Sequence, residues 1–259
     1  MINLATMSAE RERIEAELDV ANQIQSNIFP TVFPAFPNRT EFDIYATRTS
    51  VAGDGNFYDF FLIDKDHLCI VVGEASGKGI PAILFAVLAA ANIRSFARLG
   101  YQPYRIVLET NNQLSQNNTE GLTVSVFVGI VDLKTGEMDY VNAGMPNTLV
   151  KRAGVGFEEV SEVKNFVLAN MENVNFRQDH INFMQGDMLM LYTSGVAKTK
   201  NKDGDEFSEP YVTIQLNEII KREYELDKIL EAMNQTLIEF KSGSQDTSSG
   251  IMLIFRYLW

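Results

Sequence analysis

The sequence is poor in cysteine, histidine and basic residues. It has one cysteine, Cys69, and two histidines among 259 residues. A single cysteine cannot form a disulfide within the chain, which excludes a disulfide-stapled fold and suits a reducing, cytoplasmic location. Lys and Arg number 22 against 34 Asp and Glu, so the formal net charge is −12. We expect no nucleic-acid partner, because binding to phosphate backbones needs a basic face.

Long hydrophobic runs are also missing. The first ten residues contain no apolar segment of the kind that a signal peptide needs. The longest apolar run, residues 80–92, is shorter than the ~20 residues of a membrane-spanning helix. Because 46% of the 259 residues are hydrophobic, the chain can build the core of one large domain or two small ones.

Residues 7–28 have the spacing of an amphipathic helix, and Pro30 ends it. A heptad seam repeats in steps of four and three at Met7, Arg11, Ile14, Leu18, Ala21, Gln25 and Ile28. The seam would either pair with a second copy, giving a homodimer through residues 7–28, or pack on the following domain. The sequence favours neither alternative. We therefore divide the chain into an N-terminal helix, residues 1–30, and a domain, residues 31–259.

The remaining pattern is mainly strands. A proline-rich linker comes first, and we expect Phe29, Phe33 and Phe36 to fix it to the core. Strands are predicted at 42–46, 57–63, 67–72, 147–152, 165–169, 187–193 and 250–257, with a hairpin at 122–144. Helices are predicted at 80–99, 103–116, 213–221 and 226–240, the first so apolar that we expect it to be enclosed in the core. This order predicts an α+β fold with two antiparallel sheets and helices outside.

Two glycine-rich stretches follow strand patterns. The stretch "VAGDGNFYDFF" (51–61) combines glycines, acids and an amide, as a ligand-holding loop would. The second, "GEASGKG" (73–79), places Lys78 beside a predicted helix N-terminus, which makes Lys78 a candidate for binding phosphate or another anion. Its spacing is not that of a P-loop. Taken alone, it is more simply a tight strand-to-helix turn.

The order of motifs is more informative than any one of them. In sequence the chain contains "ELDVANQIQSNIFP", "GNFYDFFLID", "VVGEASGKGIPAILFAVL", "DLKTGEMDYVNAGM", "GDMLMLYTSGVAKTKNKDGDEF" and "SSGIMLIFRY". From about Glu10 to the C-terminus this series resembles the bacterial PPM-type serine/threonine phosphatases of the SpoIIE/RsbU branch. The resemblance implies a four-layer α-β-β-α sandwich. It also implies two Mn²⁺ or Mg²⁺ ions, held by aspartates, that activate a hydroxide for attack on phosphoserine or phosphothreonine.

The chain departs from this family at every metal-binding aspartate. The family's G-G-D-F-Y-D places its aspartate at Asn56, and G-D-V-S-G-K-G places one at Glu74. T-D-G reads Thr193-Ser194-Gly195, and the aspartates of D-D-I-T fall on Ser248 and Ser249. Three positions have lost their charge and one is longer by a methylene. Asp54 and Asp246 lie nearby in sequence as possible substitute ligands, although both are out of register.

These departures give three hypotheses. The first is a pseudophosphatase that regulates by protein–protein interaction and needs no cofactor. Its partner would be a phosphoprotein or a protein similar to an anti-sigma-factor antagonist. The second is an active Mn²⁺- or Mg²⁺-dependent phosphatase whose rearranged site uses Asp54, Asn56, Glu74 and Asp246. The third is a structural dimerisation domain. By analogy with related proteins, the chain would be cytoplasmic, either alone or as the cytoplasmic portion of a larger membrane sensor.

Overall fold

The structure, a computed structural model, describes residues 4–49 and 53–259, the side chains of residues 4–9 and 26–28 excepted. The helices in these residues are α1 (Leu4–Ile28), α2 (Ile80–Arg98), α3 (Pro103–Ser115), α4 (Ser194–Ala197), α5 (Glu209–Ile219) and α6 (Leu226–Lys241). The strands are β1 (Phe42–Thr49), β2 (Asn56–Leu62), β3 (His67–Ala75), β4 (Val124–Asp132), β5 (Glu137–Ala143), β6 (Leu149–Arg152), β7 (Gly156–Glu159), β8 (Asp179–Asn182), β9 (Met188–Tyr192) and β10 (Gly250–Tyr257).

The strands form two antiparallel sheets that pack face to face. The β1 sheet has the order β1-β10-β9-β6-β7, and the β2 sheet has the order β2-β3-β4-β5-β8. Helices α2 and α3 cover the outer face of the β2 sheet, and α5 and α6 cover the outer face of the β1 sheet. This arrangement confirms the predicted α+β fold with α-β-β-α layering.

Four strands begin or end at the same end of the sandwich. Asn56, at the start of β2, lies opposite Glu74, near the end of β3. In the other sheet, Tyr192 at the end of β9 pairs with Met252 near the start of β10. Loops and helix starts that follow or precede these strands therefore meet at the same edge.

The linker after α1 is fixed by aromatic contacts, as predicted. The Phe29 ring lies 5.8 Å from the ring of Tyr58, measured between centroids. Phe33 lies 4.3 Å from Tyr45, and both Phe33 and Phe36 contact Phe60. These contacts join residues 29–36 to both β1 and β2.

Helix α1 is partly packed on the domain and partly exposed. Residues 10–17 are all exposed, whereas Leu18 and Ala21 are half-buried and Gln25 is fully buried. Of the predicted seam, the C-terminal half therefore packs on the chain's own domain, and Ile14 stays exposed. The side chains of Met7 and Ile28 lie outside the described residues. The division at residue 30 stays a prediction.

Helix α2 is less enclosed than its sequence predicts. One face packs on β2 and β3, and Arg94 reaches from it to the buried Asp59 with N–O distances of 2.8 and 2.6 Å. On the opposite face Leu84 and Leu88 are 54% and 55% exposed, so the prediction of a fully enclosed helix is wrong. Over its 19 residues α2 has a mean hydropathy of 1.7, enough by length and composition to cross a membrane. A helix packed on a core meets the same criterion.

The strand predicted at 165–169 is wrong. This segment makes only isolated bridges, at Asn165 and Leu168. The side chain of Asn165 takes over the pairing by donating to the carbonyl oxygens of Asn142 and Arg177, and Ala169 has a positive φ of 65° that ends extended structure. Strands β7 and β8 and the one-turn helix α4 are additional to the predicted elements.

Candidate functional site

The four family metal positions meet at the end of the sandwich described above. Asn56 begins β2, Glu74 lies near the end of β3, Ser194 opens α4 after β9, and Ser249 directly precedes β10. All four line one cavity of about 310 Å³. Its remaining wall includes the hydroxyl side chains of Ser76, Thr123, Ser125 and Thr247.

Glu74 is hydrogen-bonded within the cavity. Its Oε2 accepts from the backbone N–H of Ser194 at 3.0 Å and from the Ser194 hydroxyl at 3.1 Å. Burial raises the pKa of Glu74, although the two hydrogen bonds from Ser194 and the positive charge of Lys198 oppose that rise. Ser194, which stands where the family's T-D-G motif has its aspartate, thus donates hydrogen bonds to Glu74.

The other two altered positions also bind each other. Nδ2 of Asn56 donates to Oγ of Ser249 at 3.0 Å, which joins the two sheets across the cavity. The backbone N–H of Asn56 donates to Oδ1 of Asp54 at 3.1 Å. An amide N–H and a hydroxyl oxygen thus pair at two of the four family metal positions.

Asp54 lines the cavity but is held by a cation of the protein. Arg48 donates to Oδ1 of Asp54 at 2.7 Å, and the two side chains are only 14% and 10% exposed. Arg48 also donates to Oε1 of the buried Gln25, whose Nε2 donates to the backbone carbonyls of Asp54 and Asn56. Helix α1 thereby holds the loop that carries Asp54.

Asp246, the second proposed substitute, does not line this cavity. Its Oδ1 accepts from the hydroxyl and backbone N–H of Ser248, and its Oδ2 accepts from the backbone N–H of Lys200. Burial alone would raise the pKa of Asp246, but the hydrogen bonds from Ser248 and Lys200 outweigh it and lower the pKa. Asp246 shapes the turn before β10.

Two lysines border the cavity. Lys78 lines it from the loop that precedes α2 and is exposed. Lys198 lies beyond α4, with its Nζ 3.4 Å from Oγ of Ser194. The motif around residues 73–79 predicts Lys78, whereas no motif predicts Lys198. Arg48 and Gln25 were also missed as site residues, because no local motif links "TRT" in β1 or a heptad glutamine to Asp54.

The side chains that could act as metal ligands in the cavity do not fit a two-metal site. Two hard dications need several carboxylate oxygens. Here one carboxylate accepts from Ser194 and the other is paired with Arg48. Among the residues that the structure describes, no group of three or more His, Cys, Asp or Glu side chains is arranged to hold a metal ion.

Comparisons with known proteins agree with this geometry at the level of the fold. Residues 64–253 match the family Stage II sporulation protein E (SpoIIE). The solved SiaA-PP2C domain of Pseudomonas aeruginosa superposes with a TM-score of 0.82 at 20% identity, covering 96% of this chain and 99% of that one. Two packed antiparallel sheets with helices on both outer faces form the PPM-type phosphatase fold. Since the match spans more than half of the chain, the protein belongs to the SpoIIE family.

Two curated relatives extend the comparison. Protein IcfG of Synechocystis sp. is 25% identical over 88% of this chain and 39% of its own length. The phosphoserine phosphatase RsbU of Bacillus subtilis is 22% identical over 85% of this chain and 67% of its own length. The chain thus spans less than half of IcfG and about two thirds of RsbU.

Proposed function

We propose that this chain is a signalling domain of the SpoIIE family that binds a protein partner and does not hydrolyse phosphate esters. One observation carries the proposal: the four family metal positions are occupied by side chains that hydrogen-bond to one another, Glu74 with Ser194 and Asn56 with Ser249. Side chains that donate to and accept from one another need no cation to offset repulsion between clustered carboxylates. Catalysis in the family would need the carboxylates that three of these residues no longer supply.

The partner that fits this proposal is a regulatory protein. RsbU is named a phosphoserine phosphatase, and a structural neighbour from Mycobacterium tuberculosis joins RsbU and RsbW domains in one protein. By analogy, we place this chain in a sigma-factor pathway, with a phosphoprotein or an anti-sigma-factor-antagonist-like protein as its partner. A cytoplasmic location is part of the proposal, and the single buried cysteine is compatible with it.

The alternative is an active Mn²⁺- or Mg²⁺-dependent phosphatase with a reduced site. It would need Asp54 to turn toward a cation. That movement would leave the largely buried Arg48 without its carboxylate, and an unpaired buried charge is costly. The alternative therefore requires a rearrangement that the observed contacts oppose.

The test combines metal binding with turnover. The full chain is titrated with Mn²⁺ by calorimetry and assayed for hydrolysis of para-nitrophenyl phosphate in Mn²⁺, with RsbU as the positive control of the assay. We expect no saturable Mn²⁺ binding at millimolar concentration and no turnover above the uncatalysed rate. Tight binding with turnover that Glu74→Ala abolishes would establish the alternative instead.

A dimeric assembly is a second candidate role, and the exposure of α1 favours it. Residues 10–17 form two turns of helix with every side chain exposed. Helical segments without tertiary contacts are marginally stable in water, and pairing with a second helix stabilises them. We propose that this exposed part of α1, rather than the whole segment 7–28, pairs with a second copy.

A further inference from the structure

A second recess, here called the acidic groove, lies beside the cavity and has a volume of about 450 Å³. It is lined by residues just before β6, at the end of β7, in α4 and at the start of α5. Ser194 lines both the cavity and the groove. The carboxylates that line the groove belong to Glu159, Glu206 and Glu209. None of these three residues has a role in the proposed function.

Two of these carboxylates are joined by one asparagine. Nδ2 of Asn147 donates to Oε2 of Glu159 at 2.7 Å, and the backbone N–H of Asn147 donates to Oε2 of Glu209 at 3.4 Å. Lys164 donates to Oδ1 of the same asparagine. Glu209 also opens α5, where the helix dipole favours a negative charge. Oε1 of each glutamate accepts no hydrogen bond from the residues that the structure describes.

The lysines around the groove do not neutralise these two glutamates. Lys200 lies 3.8 Å from Glu206, and Lys164 lies 4.0 Å from the buried Glu162. Lys198 lines the groove, but its Nζ contacts a serine hydroxyl rather than a carboxylate. Within the described ranges, neither of the two glutamates joined by the asparagine has an ion pair.

A buried hydroxyl without a partner faces the same place. Met190 of β9 pairs with Leu149 of β6, and Leu149 pairs with Glu159 of β7, so these side chains share the outer face of the β1 sheet. Tyr192 lies two residues beyond Met190 and is therefore on that face too. It is 2% exposed, and its hydroxyl has no hydrogen-bond partner among the described residues. Burial, and then the nearby charges of Glu209 and Glu159, raise the pKa of this hydroxyl.

A ligand for the acidic groove needs a positive charge and several hydrogen-bond donors. A guanidinium group supplies both, since it is planar, carries donors on one fork and loses less hydration than an ammonium group. We propose that the acidic groove binds the guanidinium group of an arginine side chain of a protein partner, between the carboxylates of Glu159 and Glu209. The Tyr192 hydroxyl would be a third acceptor. The inference rests on the proposed function only in that the ligand belongs to a protein partner.

The charges in the groove predict effects of opposite sign. Glu209→Gln and Glu159→Gln should each weaken binding by about tenfold, the scale of one charge-assisted hydrogen bond. Tyr192→Phe should weaken it less, because a neutral acceptor is lost. Lys198→Gln should strengthen binding, because it removes a positive charge from the lining.

The experiment is an NMR titration of the isotope-labelled full chain in EDTA. The probe is N-acetylated, C-amidated arginine, and the matching citrulline compound is its neutral counterpart. We expect saturable shifts of the backbone amide signals of residues 147, 159 and 209 with the arginine probe alone. Glu158→Gln is the matched control variant, since Glu158 is exposed on β7 and its side chain lies on the opposite face of the strand from Glu159. It should bind the probe as wild type does.

Several outcomes would overturn the inference. Absence of saturable shifts would do so, as would equal affinities of wild type, Glu209→Gln and Lys198→Gln, or equal binding of the citrulline compound. Capped lysine that binds as tightly would overturn the assignment to arginine, and free arginine that binds more tightly would overturn the assignment to a protein side chain. A gain in affinity for Lys198→Gln cannot arise from misfolding, which keeps the test valid if another variant is unstable.

Failure of this inference is separable from failure of the proposed function. If Mn²⁺ supports turnover while the arginine probe binds as expected, the proposed loss of catalysis fails and the acidic groove stands. If Mn²⁺ is inert and the probe does not bind, only the inference about the groove fails.

Discussion

Replacing a metal-binding aspartate by a neutral side chain removes the need for a neighbouring cation. Clustered carboxylates repel one another unless cations or protons lie between them. Asn56 and Ser249 have no such requirement, since an amide donates and a hydroxyl both donates and accepts. Their 3.0 Å hydrogen bond lets the two sheets meet at this end without an ion. The same logic explains Ser194, which donates to Glu74, the acid that remains at the four family metal positions.

Glu74 should give folding stability a distinctive pH dependence. Burial raises its pKa in the folded protein above the ordinary value of 4.5, so the folded state keeps a proton that the unfolded state has lost. Stability linked to this group is fully present below pH 4.5 and is lost as the pH rises toward the folded-state pKa. Glu74→Gln keeps a carbonyl oxygen for Ser194 and removes this loss, so we expect a higher melting temperature than wild type at pH 7.

The measurement is thermal unfolding of both proteins across acidic to neutral pH. Glu120→Gln, at an exposed loop position, is the matched control and should follow the wild-type profile. A difference between Glu74→Gln and wild type that does not grow with pH would contradict this assignment.

Individual residues of the site could be predicted from the sequence only where they belong to a recognisable motif. Asn56, Glu74, Ser194, Ser249 and Lys78 all line one cavity because each sits at a fixed place in a motif next to a strand end. Asp246 does not join them: a displacement of a few residues along the chain put its carboxylate on the turn instead. The roles of Arg48 and Lys198 depend on contacts between distant segments, which local patterns do not encode.

At the scale of elements, period and flanking residues predicted most of the fold. Strands β4 and β5 form within the predicted hairpin, with consecutive residues buried on both faces, and helix α6 follows its amphipathic pattern. Errors arose where side chains replaced backbone pairing, as Asn165 does, or where an apolar helix lies on the outside of a sheet. Composition alone cannot distinguish α2, with one exposed apolar face, from an enclosed helix.

The close approach of α4 to the start of β10 depends on Gly195. A Cβ at this position would lie 1.8 Å from the backbone carbonyl oxygen of Ser249, which cannot move aside as a side chain could. We therefore expect Gly195→Ala to lower the free energy of unfolding by about 3 kcal/mol. Gly204→Ala is the comparison: its φ is +88° but a Cβ there meets no atom within 4 Å. Gly204→Ala should lower the free energy of unfolding by only about 1 kcal/mol, the penalty for a side chain in the left-handed backbone region.

Urea unfolding of the two variants measures this difference. Equal costs would mean that α4 and residue 249 do not approach as closely as described. Because Ser194 and Ser249 both line the cavity, the same substitution should also displace one side of the cavity from the other.

At the scale of the whole molecule, α1 joins two roles in one helix. Its C-terminal part contacts the loop that borders the cavity: Asn22 Oδ1 accepts from the backbone N–H of Gly53, and Gln25 donates to the next residues of that loop. Residues 10–17, nearer the N-terminus, are all exposed, and their described side chains make no such contacts with the domain. Removal of residues 1–28 would therefore disturb the cavity as well as any assembly, so point substitutions in the exposed part are the cleaner probe.

Ile14 and Val20 offer a matched pair for the proposed dimer. Both are on α1 and are 54% and 56% exposed, but Ile14 lies on the heptad seam and Val20 lies off it. If exposed α1 segments pair, the wild-type chain should be a dimer by light scattering at micromolar concentration, and Ile14→Lys should make it a monomer. Val20→Lys adds the same charge to the same acidic chain and should leave the dimer intact. A wild-type monomer, or equal dissociation by both substitutions, would remove the seam as the interface and leave α1 as a support for the cavity loop alone.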